Sequence, residues 1–480
     1  MSDKKLDLSR PTGTRDFLPA DLRKHRKIER IVRESLEAFG FEEIMTPTFE
    51  FFDLFLVKSG EKFREETFTF KAPRAGLDGG DAGASADDAR TFILRPEFTA
   101  PVCRFYIQSG LNIVPKPLKI FYVGPVFRYD KPAPGRFREF FQFGVEVFGI
   151  PGAIADAEIM YVATSIVKKL GIKDHVLRMN DLNILRELLG ENDVAEDVQD
   201  KIIALMDKAN GDKIKHGLGL LEETSPAEIE LAFTGGLKDI GISPALVETL
   251  LKFLYLNGPF KEDVLPRARE VLARYTKALH ALESSNLLRA EQLLDAGGIT
   301  SRMVDLSLAR GLDYYTGLVF EIDSPCLGKQ KQICGGGRYD RLIRDFGGDD
   351  TPATGFAFGL DRLVLAAEMN GSLASESTIP RADVFLYAFK PELVPEAFKL
   401  QGILVENGIK VELSITDWNV KRALQCASKL DFPFALMLGE KEWKAGKNVV
   451  LKNLKTEQQE VVTLDRAIAI VKATLSPATS

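Results

Sequence analysis

The sequence predicts an α+β protein in three parts: a mainly antiparallel sheet flanked by helices, a helical segment inserted into it, and a C-terminal α/β domain. Strand-like runs on both sides of an Arg/Pro/Gly loop, within residues 92–148, indicate an antiparallel hairpin. A leucine-rich, mostly helical stretch at 181–296 separates these strands from further strand-like runs. Beyond residue 381, strands alternate with helices, which favours a small, largely parallel sheet.

The length and composition are those of a large globular protein. The 480 residues correspond to roughly three domains of ~150 residues, and 45% of them are hydrophobic and 28% charged. No stretch approaches 18 uninterrupted apolar residues, and the charged N-terminus has no apolar signal region behind it. We therefore expect no membrane contact and a cytoplasmic location.

The cysteines and histidines exclude several kinds of site. The four cysteines are far apart in the chain and the four histidines have no metal-ligand spacing, so neither a disulfide framework nor a metal site is predicted. Catalysis must then use arginine, glutamate and backbone groups. A net charge of −6 argues against a generally basic surface, so a nucleic-acid partner would need a local patch.

The N-terminal part, 1–180, begins with a predicted helix at 22–39, where Ile28, Val32 and Leu36 recur at helical spacing. The run 41–47 reaches Pro47, which predicts an edge or interface strand. Residues 72–90 are expected to form a solvated loop. The remaining elements predicted for this part are strands at 66–70, 91–94, 119–123 and 140–147 and a helix at 153–170.

The later parts follow the same kind of pattern. After the inserted segment at 181–296, the strand-rich pattern resumes at 297–375 with strands at 303–308 and 317–322, a glycine-rich turn and a helix from about residue 360. The C-terminal domain, 381–480, is predicted to have strands at 384–388, 410–413 and 434–439 and helices at 396–406 and 420–429.

Three segments resemble the signature motifs of class II aminoacyl-tRNA synthetases. The loop at 124–146, with Arg128 as its fixed point, resembles the second motif in its histidyl version. The segment 354–363 resembles the third motif, and the segment 39–47 looks like the first, which forms the dimer interface in that class. The resemblance therefore implies a homodimer with a class II catalytic domain.

Two further segments narrow the resemblance to histidyl-tRNA synthetases. Residues 309–317 (ARGLDYYTG) and 334–340 (CGGGRYD) look like the pair of histidine-specific motifs of that family. The runs LRPEFT at 94–99 and PTGTRDFLP at 11–19 extend the similarity over the catalytic part. The family's activity, ATP-dependent joining of histidine to its tRNA, is what the resemblance implies.

The resemblance also implies a histidine site. Glu97, Thr99 and Gln142 would bind the α-ammonium group, while Glu146 and Tyr315 would bond the two imidazole nitrogens, each of which needs a partner. Tyr314 would line the same pocket. The chain departs from the family at Phe98, where glycine is familiar, and the added bulk lies near the pocket. Gly335 to Gly337 would let the backbone approach histidine closely.

ATP, with Mg²⁺ bound to it, is the implied second substrate. Arg128 and Arg310 would contact the α-phosphate from opposite faces and also the bound histidine, and they are the predicted catalytic residues. An arginine fork can hold two reacting anions together where charge builds on phosphorus. Arg136 and Arg362 would hold the terminal phosphates, and Phe140 would stack on adenine, although Phe140 could equally be a core residue.

The C-terminal domain resembles the class II anticodon-binding domain, which implies histidine tRNA as partner. Trp418 beside Lys421 and Arg422 could offer a stacking surface with phosphate contacts, or Trp418 could be a core residue. Two rival functions remain open at this stage. One is a regulatory paralogue that binds histidine as a signal in histidine biosynthesis, and the other is a sensor of uncharged tRNA.

Overall fold

The structure is a computed structural model that describes residues 7–59, 66–71, 91–132, 135–217, 225–309, 314–374, 376, 380–414 and 419–475. The chain divides into two compact units, 1–374 and 375–480. The loop predicted at 72–90 lies outside the described residues. Within the described ranges, none of the helices has the length and apolar character that a bilayer crossing would need.

A nine-stranded sheet organises the larger unit, with a three-stranded sheet beside it. The strands of this unit are β1 Glu42–Glu43, β2 Phe49–Phe51, β3 Thr69–Lys71, β4 Thr91–Leu94, β5 Leu118–Phe127, β6 Glu139–Phe148, β7 Val176–Asp181, β8 Asn257–Gly258, β9 Arg302–Asp305, β10 Leu318–Asp323, β11 Gln332–Arg338 and β12 Ala353–Gly359. The large sheet has the order β1-β5-β6-β12-β11-β10-β7-β9-β8, and only its pairs β1–β5 and β7–β9 are parallel. The predicted mainly antiparallel sheet is therefore confirmed.

Helices of the same unit cover this sheet. They are α1 Pro19–Ala38, α2 Asp53–Ser59, α3 Thr99–Gln108, α4 Ala153–Lys169, α12 Leu342–Asp345 and α13 Leu360–Met369. One face of α1 carries Ile28, Val32 and Leu36, which are fully buried in the core because residues four apart lie on the same side of a helix. Between β7 and β9 the chain is mostly helical, as predicted: α5 Leu182–Glu191, α6 Glu196–Gly217, α7 Pro226–Asp239, α8 Pro244–Phe253, α9 Leu265–Leu272, α10 Thr276–Ser284 and α11 Asn286–Ala296.

The hairpin and the edge strand agree with the sequence pattern. Strands β5 and β6 pair antiparallel over their whole length, and β1 lies at the end of the large sheet. The glycine-rich turn expected between the strand at 317–322 and the helix from about residue 360 does not lie at the glycine run, because Gly335 to Gly337 are inside strand β11 between β10 and β12. Glycine has no side chain from which a two-residue alternation could be recognised, so local sequence favoured a turn.

The smaller unit is an α/β domain with a mixed sheet. Its strands are β13 Val384–Ala388, β14 Val411–Leu413, β15 Phe434–Leu438, β16 Asn448–Asn453 and β17 Gln459–Thr463, and its helices are α14 Val394–Glu406, α15 Val420–Lys429, α16 Glu440–Gly446 and α17 Leu464–Leu475. The order is β14-β13-β15-β16-β17, with the first three strands parallel and the last two antiparallel. The prediction of a largely parallel sheet is therefore only half right, because the short link from β16 to β17 can join antiparallel neighbours only.

Candidate active site

One cavity of about 310 Å³ lies on the face of the large sheet formed by β5, β6, β12 and β11, beside the first turns of α3 and α13. Apart from Gly336 and Gly337 of the glycine run, the described residues that the sequence assigned to the histidine and ATP sites line it: Glu97, Phe98, Thr99, Arg128, Arg136, Phe140, Gln142, Glu146, Tyr314, Tyr315 and Arg362. Gly335 of the predicted glycine run lines it too. Arg310 lies outside the described residues.

Glu146 forms the deep end of the cavity, and its side chain is bonded from three directions. Its Oε1 accepts hydrogen bonds from Thr99 Oγ1 at 3.0 Å and from Tyr122 Oη at 3.3 Å, while the phenol of Tyr339 donates to Oε2. Only 1% of the residue is exposed, and this burial raises the pKa of Glu146 to about 8 even though the three hydroxyl donors oppose the rise. The carboxyl group is thus held in one orientation, and with three donors bound it keeps about one lone-pair site for a further donor.

Glycines on the neighbouring strands make room around Glu146. Gly355 of β12 lies directly opposite Glu146 in the sheet register, and a Cβ atom there would overlap Glu146 Oε2. Gly337 of β11 is next in the same row, where a Cβ atom would lie 2.9 Å from the ring of Tyr315. Both Glu146 and Tyr315 can therefore lie close to the sheet, which explains why glycine occupies central strand positions here.

Two more acceptors lie near the start of α3 and on β6. The carboxylate of Glu97 accepts the backbone N–H groups of Thr99 and Ala100, the latter at 2.9 Å. Burial raises the pKa of Glu97, against these backbone hydrogen bonds and the positive charge of Arg128. The side-chain oxygen of Gln142 is buried and has no hydrogen-bond partner among the residues that the structure describes. These oxygens suit a ligand that brings an ammonium group.

The wall of the cavity next to these acceptors contains a stacked pair of aromatic rings. Phe98 lies parallel to Tyr122, with ring centroids 4.2 Å apart and planes inclined by 14°. The guanidinium of Arg95 lies over the other side of Phe98, 4.0 Å from its centroid, and donates to the backbone oxygens of Thr46 and Pro47. Phe98 is 2% exposed, so its bulk fills the wall and supports Tyr122 instead of closing the cavity.

Arginines gather at the opposite end of the cavity. Arg128 donates from Nε to the backbone oxygen of Pro96 at 2.8 Å and lies over the ring of Phe140. Arg362, near the start of α13, donates a hydrogen bond to the backbone oxygen of Gln332 at 3.0 Å. Arg136 pairs with Asp130 at 2.9 Å.

The electrostatics of this end favour an anion. Burial lowers the pKa of Arg362, and the neighbouring charges of Arg136 and Arg128 lower it further. Such mutual repulsion in a cavity wall is relieved when a negatively charged group binds between the cations. The first turn of α13 adds the partial positive charge of a helix N-terminus.

Some of the residues around the cavity escaped the sequence argument. Tyr122 and Tyr339 bond Glu146 and also line the cavity, as does Asp361. Tyr339 lies inside the quoted motif 334–340, whereas Tyr122 carried no signal beyond strand alternation. In the smaller unit, Lys421 and Arg422 are exposed on α15, and Trp418 lies outside the described residues.

Comparison with known proteins decides the family. The family profile described as histidyl-tRNA synthetase matches residues 13–363. The chain belongs to the histidyl-tRNA synthetase family. A second profile, the anticodon binding domain, matches residues 383–474. The recognition made from the sequence motifs is therefore confirmed.

Curated relatives and solved structures of this family agree over nearly the whole chain. The histidine–tRNA ligase of Archaeoglobus fulgidus is 37% identical over 467 residues, which cover 97% of this chain and 100% of the relative. That of Methanocaldococcus jannaschii is 36% identical over 95% of this chain and 97% of the relative. The crystal structure of a histidyl-tRNA synthetase from Nostoc has a TM-score of 0.73 at 24% identity, covering 98% and 100% of the two chains. The apo Staphylococcus aureus enzyme has a TM-score of 0.63 at 26% identity, with coverages of 97% and 100%. The predicted fold class is confirmed.

Proposed function

We propose that this histidyl-tRNA synthetase family member joins L-histidine to its tRNA, using ATP, in the cavity of the larger unit. The activity is that of an ATP-dependent histidine–tRNA ligase. The observation that carries the proposal is the division of one cavity into an acceptor-rich end and an arginine-rich end. Substrates with complementary groups, an amino acid with a donor-bearing ring and a polyphosphate, would meet between the two ends.

Histidine would occupy the acceptor-rich end. Its α-ammonium group would bond Glu97, Thr99 and Gln142, an assignment that the unpartnered Gln142 oxygen supports. Its imidazole would lie between Glu146 and Tyr315, beside Tyr314. The backbone of the glycine run 335–337, of which Gly335 lines the cavity, and the wall at Phe98 would bound the ring.

ATP would extend along the arginine-rich end. Arg128 would bind the α-phosphate together with the histidine carboxylate, Arg136 and Arg362 would hold the terminal phosphates, and Phe140 would stack on adenine. The position of Phe140 under the Arg128 guanidinium, 5.5 Å from Cζ to the ring centroid, is compatible with that stacking. Arg310 is assigned to the α-phosphate and to histidine by its motif alone. Mg²⁺ would enter bound to the phosphates, as part of the substrate.

The chemistry requires positioning and charge stabilisation more than proton transfer. The histidine carboxylate is already a nucleophile, and it attacks the α-phosphorus so that pyrophosphate leaves and histidyl-adenylate forms. Arginines aimed at the phosphorus stabilise the charge that builds there. A ribose hydroxyl at the 3′ end of the tRNA then attacks the adenylate carbonyl and releases AMP.

The partners and domains follow the family pattern. Residues 1–180 and 297–375 would form the catalytic domain, 181–296 the inserted domain and 381–480 the anticodon-binding domain. Lys421 and Arg422 would contact tRNA. The inserted domain would clamp the acceptor stem. A homodimer would form through the first-motif segment, 39–47, as the resemblance to class II synthetases implies. A cytoplasmic location stays a prediction from sequence.

The regulatory and sensor functions are less well supported. A histidine-sensing paralogue has no need for the arginine-rich end, whereas Arg128, Arg136 and Arg362 all line the cavity here. It also has no need for an anticodon-binding domain, and residues 383–474 match one.

The decisive experiment is exchange of labelled pyrophosphate into ATP, measured with each of the twenty amino acids in turn. Exchange with histidine alone is expected, and it should be lost in Arg310→Ala and Arg362→Gln. Folded protein that exchanges with no amino acid would refute the proposal. Charging of histidine tRNA should follow, and a variant lacking the inserted domain should keep exchange while losing charging.

A further inference from the structure

The N-terminal segment 11–17 packs against the loop that carries part of the arginine-rich end. The backbone oxygen of Gly13 accepts a hydrogen bond from Arg138 N at 2.8 Å. Gly13 has φ +87°, and a Cβ atom there would lie 2.7 Å from Arg138 Cγ, so the two segments are in close contact. Arg138 follows Phe137 in the loop between β5 and β6, and Phe137 lines the cavity.

Arg15 extends this contact to a second element of the site. Its guanidinium lies between the rings of Phe17 and Phe137, 4.2 and 4.3 Å from their centroids, and it forms an ion pair with Asp361. Asp361 precedes Arg362 in the first turn of α13. One side chain therefore links the loop that carries Arg136 to the helix that carries Arg362.

Asp361 is a buried carboxylate that depends on this arginine. Its side chain is 3% exposed, Oδ1 also bonds His25 Nε2 at 3.0 Å, and Oδ2 accepts the backbone N–H of Phe141 at 2.9 Å. Burial first, and then the charge of Arg15, lower the pKa of His25 to about 4, so this histidine is neutral at pH 7. Among the described residues, Arg15 is thus the charged partner within ion-pair distance of Asp361.

We propose that Arg15 is a positioning residue for the phosphate end of ATP, acting through Asp361 and Phe137. With Arg15 in place, the Asp361 carboxylate is neutralised and does not compete with a bound phosphate for the arginines of the cavity. Without Arg15, the buried Asp361 carboxylate has no neutralising partner of its own and attracts neighbouring arginines instead. The loop also loses the cation that packs on Phe137. The histidine end, on the other side of the cavity, is not involved.

This inference rests on the proposed function, so the wild-type protein is the reference in its test. Arg15→Gln is compared with wild type in pyrophosphate exchange, with ATP varied at saturating histidine and histidine varied at saturating ATP. The KM for ATP is expected to rise about tenfold, as for the loss of one charge-assisted contact, while the KM for histidine stays within about twofold. Arg15→Lys keeps the charge without the planar fork, so its KM for ATP should lie between those of wild type and Arg15→Gln.

Two more variants separate positioning from loss of folding. Arg10→Gln removes an exposed arginine just before the segment 11–17, whose ion-pair partner among the described residues is the exposed Asp16, and it should match wild type. In Arg15→Gln/Asp361→Asn the orphaned charge is gone, so part of the lost ATP affinity should return. Equal increases in both KM values, an unchanged KM for ATP, or no recovery in the double variant would overturn the inference. Absence of histidine-dependent exchange in wild type would instead refute the proposed function.

Discussion

Tyr339 donates a hydrogen bond to the carboxylate of Glu146 although 193 residues separate them in the chain. The pair is brought together by β12, which lies between β6 and β11 and carries glycine opposite Glu146. Because Tyr122 and Thr99 donate to the same carboxylate, the acceptor that would select histidine is fixed before substrate arrives. Such preorganisation reduces what must be ordered on binding.

The pKa of Glu146 predicts a pH-dependent stability. In the folded protein the pKa is raised from 4.5 to about 8, so the folded state binds a proton more tightly than the unfolded chain. Stability from this group is full below pH 4.5 and is lost as pH rises towards 8. As pH rises across this range, the free energy of unfolding of Glu146→Gln should therefore increase relative to that of wild type by up to about 5 kcal/mol. Urea unfolding at several pH values measures this difference.

Glu440 offers the matched control for this experiment. The pKa of Glu440 is lowered from 4.5 to about 2 by hydrogen bonds from Lys390 and Lys444, so above about pH 5 it is mostly ionised in both the folded and the unfolded state. The difference in unfolding free energy between Glu440→Gln and wild type should therefore stay constant between pH 5 and 8. If the difference in unfolding free energy between Glu146→Gln and wild type were equally independent of pH, a raised pKa of the buried Glu146 would be contradicted.

Gly355→Ala should damage histidine use severely. The added methyl group would overlap Glu146 Oε2 and push the carboxylate out of its orientation. We expect kcat/KM for histidine in pyrophosphate exchange to fall about a hundredfold, as for misplacement of a binding group by ~1 Å. Gly190 of helix α5 does not line the cavity, and a Cβ atom there would meet nothing within 4 Å, so Gly190→Ala is the control. It should stay within about twofold of wild type, and equal losses in both variants would contradict the argument.

Phe98→Leu tests the stacked wall. Loss of the ring removes the support of Tyr122, whose hydroxyl bonds Glu146. The KM for histidine should rise about threefold to tenfold, the worth of one aromatic pair, while the KM for ATP should not change. Phe92→Leu removes a stacked ring of similar size from the three-stranded sheet, next to Phe51 and Phe70. If Phe92→Leu raised the KM for histidine equally, the effect would not belong to the wall.

Arg178→Met should destabilise the larger unit. The Arg178 guanidinium on β7 is bonded to three carboxylates on the adjacent strands β9 and β10, namely Asp305, Glu321 and Asp323. Burial opposes its charge, but these carboxylates outweigh burial and raise the pKa of Arg178. Its removal takes the shared cation away from this buried network, although Asp323 keeps an ion pair with Lys331 at 2.7 Å, and breaking a buried ion pair typically costs about 3–5 kcal/mol.

The measurement for Arg178→Met is the free energy of unfolding in urea. Arg186→Met, which removes a more exposed arginine paired with Asp200 at 3.1 Å, should cost less than about 1 kcal/mol. A loss no larger for Arg178→Met than for Arg186→Met would contradict a structural role for the buried network.

The sequence by itself determined the family, the fold class and about half of the residues that line the cavity. The motifs identify Glu97, Glu146 and Arg362 because each of these residues lies within a continuous run of motif residues. Elements with strong local signals were also placed well: strand β13 and helix α15 have the predicted bounds. Hydrophobic periodicity and turn chemistry are local properties, so a single chain suffices to recognise them.

Only the tertiary structure decided which distant side chains cooperate. The bonds from Tyr122 and Tyr339 to Glu146, and from Arg15 and His25 to Asp361, join strands and segments that are far apart in sequence. The strand at 335–337 is likewise set by its neighbours β10 and β12, because glycine carries no pattern of its own. Sheet order and side-chain packing bring these groups together, and neither leaves a periodic trace in the sequence.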